Sequence, residues 1–507
     1  MVNKQHYDIV VVGAGLGGLI TGAILAAKEG MKVIVLEKAP AIGGRIVSFG
    51  KQHGLDYSAS QVKELLRECV FSTIIKSEPD FNQIIGKGIL KDFILDGGWH
   101  AMSGGDRCRY ALIARALGKR IHVSNSVGFA YFQNGRWMQL PEVAASWSLE
   151  STRERVRVAY ERQLISIEEA TEYDHVDIVS LMEMLTDSEE VRDYYCDMAR
   201  YQMGLNSPKR ISAGEWIRCN NATAAMGRHL IYGGGMGEVT SGFQTVANTF
   251  ASIIQENGGE VRTRHPVTEV VIKNCKAQGV VAQGRRGAEE FAASYVVCNP
   301  PPYHLPGIIP EKYFVGDLMQ RVKNMYAPVS VLGTLCLKEP LEQDYPTGQF
   351  VASVLPGTES LNIPGGPPAF GMEQTSMVDP SRCPQDRCLI QICIIVDPEA
   401  WRDKKLVRQL GDAMIAFLRK QYPRFDEILD WYYLQRVDIG YGIAPAPGLV
   451  GDRRFPVRHP VIRNLFFTGD CVQQWDVGSN GASHGAVLCA SALSGRDYLK
   501  LLPPYWR

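Results

Sequence analysis

The sequence predicts an α/β protein in which one domain, built of parallel strands and helices, is assembled from separated segments with a mixed α+β domain inserted between them. Three observations carry that expectation. Residues 7–36 run as an apolar stretch, a helix-forming stretch and a second apolar stretch. Residues 110–227 then turn helix-rich, with no proline between Glu142 and Asn206. Strand-like, glycine-bearing segments resume afterwards and return at the end of the chain. Segments 1–109, 228–312 and 451–507 are accordingly assigned to the first domain, and 110–227 and 313–450 to the second.

The opening stretch explains itself residue by residue. The apolar run at 7–12 feeds Gly13-Ala14-Gly15-Leu16-Gly17-Gly18, a G-x-G-x-x-G turn, and helix formers follow until Gly30 stops them. Gly13 permits the turn, Gly15 lets a pyrophosphate approach the backbone, and Gly18 lets helix and strand pack closely. Glu37 stands 24 residues beyond Gly13, near the roughly 20-residue interval at which a carboxylate accepts from the adenosine ribose. The stretch is therefore expected to be a Rossmann-like dinucleotide site.

The totals exclude several classes. Lys plus Arg and Asp plus Glu number 54 each, so no global charge draws the chain to nucleic acid. Twelve cysteines are dispersed without a zinc-like pattern, which suits buried thiols in a reducing, cytoplasmic setting. The first apolar run belongs to the fold, so no leader peptide is expected there.

Further along, a strand is expected at 46–49 and a helix at 62–70. Residues 93–105 read as a strand entering a glycine turn that carries Asp96 and His100. A hairpin is expected at 129–140, and Gly233-Gly234-Gly235 is expected to open a helix through Glu256. Strands follow at 261–264, 267–272 and 279–282, then a buried strand at 295–299 stopped by Pro300-Pro301-Pro302. Strands at 329–337 and 388–396 and a helix at 405–421 fall in the second domain. The chain closes with a strand ending in Thr468-Gly469-Asp470 and a glycine-opened helix from Gly478 to near Leu499.

Taken together, the fingerprint continuing to Gly43-Gly44-Arg45, the middle YGGGMGEV with GGEVRTRHPVTEV, and the terminal NLFFTGD resemble the phytoene desaturase-like branch of the flavin amine oxidase superfamily. The resemblance implies FAD, with contacts at Gly13, Gly15, Gly18, Glu37, Gly44 and Arg45. It implies the Val267 backbone near adenine, Gly469 and Asp470 near the pyrophosphate and ribityl chain, and Gly481, Ala482 and Ser483 near the flavin pyrimidine edge. A helix N-terminus there stabilises negative charge on reduced flavin. Two departures stand out. The aspartate-glycine element of the family is matched better by Asp96-Gly97-Gly98-Trp99-His100 than by Asp56, which makes residues 51–91 an insertion near the active-site entrance. Many amine oxidases also carry a lysine after the strand ending in Pro-Pro, whereas residues 302–310 supply none.

The expected function is dehydrogenation, forming a double bond in a largely apolar small molecule, with an unidentified electron acceptor. His100 and His484, with Tyr441, are the expected acid–base or orienting groups. A redox-neutral isomerase requiring reduced FAD, an amine oxidase, and a non-catalytic flavin-binding protein stand as alternatives. The apolar run at 304–310 is expected either to pack between domains or to give peripheral membrane contact.

Overall fold

The computed structural model describes residues 6–51, 57–99, 102–125, 129–226, 236–341, 349–440 and 442–507. Strand His6–Val12 lies at the centre of a seven-stranded sheet. Val33–Leu36 and then Glu260–Arg262 join it in parallel on one side, Gly287–Cys298 and then Leu465–Phe467 on the other. Both faces are covered, Ile9 and Val11 packing into one core and Val10 and Val12 into another. That two-sided burial is why these strands read as continuous apolar runs. Gly287–Cys298 is long enough to leave the parallel region and continue into an antiparallel meander with Lys276–Gly284 and Val267–Lys273. Helices Leu16–Glu29, Gln244–Glu256 and Gly478–Ser494 share one core against the sheet.

A second, eight-stranded sheet runs in the order Ser72–Glu78, Leu429–Val437, Val329–Leu337, Cys388–Val396, Phe370–Glu373, Gln349–Ala352, Phe129–Gln133 and Arg136–Gln139. Its pairings are antiparallel except Gln349–Ala352 beside Phe129–Gln133. Helix Lys404–Gln421, capped by Asp403 on the Lys405 and Leu406 amides, buries Leu406, Leu410, Met414 and Phe417 against this sheet. A helical lobe completes the molecule. Its helices Leu149–Leu164, Ile178–Leu185, Glu189–Met203 and Ala213–Ala225 each start on a Ser or Asp side-chain cap.

Several expectations shift in detail. Met236–Val239 is a strand, and the helix expected to open there begins at Gln244. The helix expected at 62–70 is α-helical over Ala59–Leu65 and π-helical over Leu66–Val70. Residues 72–78, placed by sequence in the first domain, pair with Leu429–Val437 in the second sheet. Leu305 and Ile309, within the apolar run at 304–310, are buried in the core beneath the first sheet. No helix among the described residues is long and apolar enough to cross a membrane.

Candidate active site

A cavity of about 430 Å³ lies between the first sheet, the second sheet and the helical lobe. One half of its wall is mostly backbone. Gly13 sits at φ +95° and its amide donates to the Leu36 carbonyl at 2.8 Å. Gly15 begins helix Leu16–Glu29 with no side-chain cap. A Cβ on Gly18 would overlap the Gly13 carbonyl, so Gly18 serves helix–strand packing and stays out of the wall. Gly17, which the motif reading passed over, has the same task toward the last strand. A Cβ there would lie 2.5 Å from Gly469 Cα and 2.7 Å from Asn299 Oδ1. Asn299 itself, at the end of Gly287–Cys298, lines the cavity and was also missed; a polar residue at a strand end just before a proline stop was the available signal.

Glu37 lines the same half. Its two oxygens accept from the Ala14 and Ala39 amides at 2.7 and 2.8 Å, and each keeps a second lone pair for a ribose hydroxyl. Burial raises its carboxyl above the usual range, with those amides opposing. Gly43 donates to the Ala14 carbonyl at 2.8 Å, bringing Gly43-Gly44-Arg45 against the glycine turn. Arg45 donates to Asp470 at 3.0 Å, and the other Asp470 oxygen accepts from the Ile443 amide at 3.0 Å. Val267 and Gly469 complete this wall.

Helix Gly478–Ser494 also begins at the cavity without a side-chain cap. Ser479, Asn480 and Ala482 face in. Gly481 instead sits against Asp476, since a Cβ on it would lie 2.6 Å from that carbonyl, and Ser483 is buried with its hydroxyl on the Ser479 carbonyl at 2.7 Å. The three expected contacts thus reduce to Ala482 with its neighbours. Two long uncapped helix N-termini, each leaving N–H groups for anionic or electron-rich atoms, together with the Glu37 carboxylate, fit a dinucleotide carrying a flavin.

The loop before that second helix is held by a buried ionic cluster. Asp476, at φ +91°, accepts from Arg109 at 2.9 Å and from the Val477 amide at 2.7 Å. Its own amide donates to Glu215 at 2.7 Å, and Glu215 pairs with Arg454 and Arg218 at 3.2 and 2.8 Å. Arg109 lies between Trp475 and Trp506, 4.0 and 4.2 Å from their ring centroids. Burial opposes ionisation of Glu215, but Arg454 and Arg218 outweigh it and hold the carboxyl below its usual range.

His484 does not reach the cavity. Two positions beyond Ala482 on a helix turns it some 200° away, into the core, where it is 3% exposed, packs edge-on to Trp475 and hydrogen-bonds that residue's backbone. Burial, with Arg109 and Arg454 nearby, holds it neutral. His484 is therefore a core residue rather than a catalytic base. His100 and Tyr441 lie outside the described residues.

The other half of the cavity is made of side chains. Trp99, Met198, Met203, Val329, Ile395 and Ile439 form its apolar wall. A Cβ on Gly371 would lie 3.3 Å from the Tyr201 ring and 3.6 Å from Trp99, so glycine keeps a slot open between two aromatic rings. Gln202 and Asn220 form a polar pair, with Gln202 Oε1 accepting from Trp216 at 2.8 Å and from Asn220 at 3.1 Å. Arg200 is held by Asp197 and Asn206 at 3.2 and 2.6 Å.

Comparison with known proteins agrees with this geometry. The flavin containing amine oxidoreductase model matches residues 79–493, and an NAD(P)-binding Rossmann-like domain model matches residues 11–68. A 4,4'-diapophytoene desaturase (4,4'-diapolycopene-forming) from Methylomonas sp is 23% identical over 347 residues, 63% of this chain. The matched span is 59% of that relative's length, and the same share of a second curated relative. An oxidoreductase from Methanosarcina mazei superposes with a TM-score of 0.69 at 16% identity, covering 97% of this chain and 100% of the other. A putrescine oxidase triple mutant superposes at 0.65 and 16%, covering 97% and 99%. These superpositions speak to the fold; the family match, which takes in most of the chain, establishes that this chain belongs to the flavin containing amine oxidoreductase family and takes FAD as its cofactor.

Proposed function

We propose that the protein is an FAD-dependent dehydrogenase that introduces a double bond into a largely apolar small molecule, polyene or alicyclic, and hands the electrons to a separate acceptor. The observation that carries this reading is the side-chain half of the cavity. Apolar and aromatic groups line it, and the carboxylate nearest the second helix, Asp476, is already held by Arg109. The other buried charge of this half, Arg200, is likewise paired, with Asp197, so it supplies no counterion for a protonated amine. That weighs against an amine substrate.

Bound FAD supplies the hydride acceptor. The chain supplies orientation and dryness. The slot between Trp99 and Tyr201 holds a flat chain or ring at fixed distance, which is where positioning contributes most to rate, and the apolar wall keeps water from the reacting carbon. Backbone N–H groups at Gly478–Ser494 stabilise negative charge as it develops on the cofactor. Within this proposal His100 and Tyr441 remain the candidate proton acceptors.

The test is anaerobic titration of the FAD-loaded protein with polyenes, cyclic alkenes and amines, following the visible flavin band. Bleaching by a polyene or cyclic alkene, with one acceptor reduced per product on turnover, is the expected result. Product formation that consumes no acceptor would identify an isomerase instead, and bleaching by amines alone would sink the apolar-substrate reading.

A further inference from the structure

The flavin cavity has a neighbour. A second cavity of about 460 Å³ lies beside it, lined by Arg67, Thr73, Tyr303, Tyr326 and Asp438, and three residues, Phe71, His304 and Ile439, line both. Two of the three are aromatic and stack on each other. The Phe71 and His304 ring centroids are 6.1 Å apart with planes 15° from parallel. His304 in turn rests on Tyr303 at 4.7 Å, and Lys38 Nζ lies 5.2 Å from the Phe71 ring.

The backbone beneath Phe71 is unusual. The π-helical turn Leu66–Val70 ends on it, and Phe71 itself sits at φ +57°, in the left-handed region. A bulky residue there is an outlier. Such strain persists only where the surroundings over-determine it, and both π-turns and left-handed non-glycines gather at functional sites. Here the constraint is plain: Cys69 and Val70 are locked in the core, strand Ser72–Glu78 starts on the next residue, and the Phe71 carbonyl accepts from the Asp438 amide at 2.9 Å. The left-handed turn between these fixed points carries the ring to the boundary between the two cavities. His304 reaches the same boundary from the short turn Pro302–Gly307.

We propose that Phe71 and His304 form the gate through which substrate passes from the outer vestibule to the flavin, and that their stacked rings restrict passage to flat, slender molecules. The proposal adds a route to the dehydrogenase reading, and the preference for flat molecules rests on that reading. The gate does not, so its test is run without turnover.

Cys219 and Cys393 line the flavin cavity, Cys298 is buried in the first sheet, and Cys275 is exposed. The FAD-loaded protein is treated with N-ethylmaleimide and alkylation at each cysteine is followed by peptide mass spectrometry. Phe71→Gly, which also suits the left-handed backbone, and His304→Ala are each expected to speed alkylation of Cys219 and Cys393 several-fold while Cys275 and Cys298 keep their wild-type rates. Phe71→Trp is expected to slow the two cavity thiols. Unchanged rates at Cys219 and Cys393 in all three variants would overturn the gate. So would a rise in both openers that Cys298 matches, together with no slowing in Phe71→Trp. Failure of every polyene to bleach the flavin would leave these outcomes readable, which separates the gate from the substrate class.

Discussion

The cofactor half and the substrate half of the cavity are built from different material. In the first, glycines shape the wall: a Cβ on Gly17 would meet the Gly469 backbone at 2.5 Å, one on Gly15 would press on Asn299, and Gly13 and Gly469 sit at positive φ, where a side chain is strained. In the second, Val329 and Ile395 of the eight-stranded sheet and Tyr201 of the helical lobe meet across space with Trp99, which follows strand Ile94–Asp96. A wall made of backbone tolerates almost no substitution, because the neighbouring atom cannot move aside. A wall made of side chains can be reshaped without losing the fold. The chemistry of the cofactor is thereby held constant while the substrate wall stays free to vary.

The sharpest way to break that contrast is Gly17→Ala. The new Cβ would meet Gly469 Cα at 2.5 Å, a backbone contact with no rotamer to yield, so the cost is expected to exceed the roughly 1–3 kcal/mol of ordinary overpacking. The purified variant should carry no visible flavin band and should not regain one on incubation with FAD. Retention of stoichiometric FAD would show that the first helix and last strand need not touch.

Second in size is Arg109→Met. Removing one member of a buried ion pair leaves Asp476 uncompensated, which typically costs about 3–5 kcal/mol, and the cation between Trp475 and Trp506 is lost as well. Urea unfolding of the FAD-loaded protein should register this loss. Arg109→Met combined with Asp476→Asn should recover part of it, because the stranded charge is gone. Absence of recovery would mean that the two act independently.

This contrast also governs what could be read in advance. The glycine turn and Glu37 were legible because their task is local and their spacing is short; Gly44-Arg45 was legible only through the family resemblance, since Arg45 is held by Asp470, 425 residues away. The strand–helix–strand order followed from two-sided burial. Arg109 and Asp476 are 367 residues apart in sequence, and nothing local to either marks the pair. His484 was misjudged for a related reason: its nearness to the cofactor motif is real along the chain, but the helix turns it into the core beside Trp475. Phe71 was out of reach because a left-handed phenylalanine has no sequence mark, although residues 51–91 had been singled out as an insertion near the entrance.

A third test uses acid. His459 is 4% exposed and its Nδ1 accepts from the Val461 and Ile462 amides at 3.1 and 2.9 Å. Burial pushes its pKa down from 6.5 to about 4. A histidine whose folded pKa is depressed contributes stability that is fully present above its unfolded pKa and is lost as pH falls through the window down to the folded value. The thermal midpoint should therefore decline between pH 6.5 and 4. His459→Asn, whose amide oxygen can still accept from those backbone donors, should decline less over the same window. Equal slopes for the two proteins would remove His459 as a source of acid sensitivity.

The smallest expected effect tests the substrate half. At Gly371 a Cβ would stand 3.3 Å from Tyr201 and 3.6 Å from Trp99, which is tight but met by rings that can shift. Gly371→Ala should therefore fold and bind FAD like the wild type. It narrows the slot by one methyl group, a change worth roughly 1–3 kcal/mol in a fitted apolar site, or about 10- to 200-fold in kcat/KM. The penalty should fall on ring-bearing substrates more than on thin polyene chains, since only the former need the full width between Trp99 and Tyr201. Anaerobic flavin reduction with a matched pair of such substrates measures the ratio. A uniform loss on both would place the reacting carbon elsewhere in the cavity, and loss of FAD would show that the two halves are not separable after all.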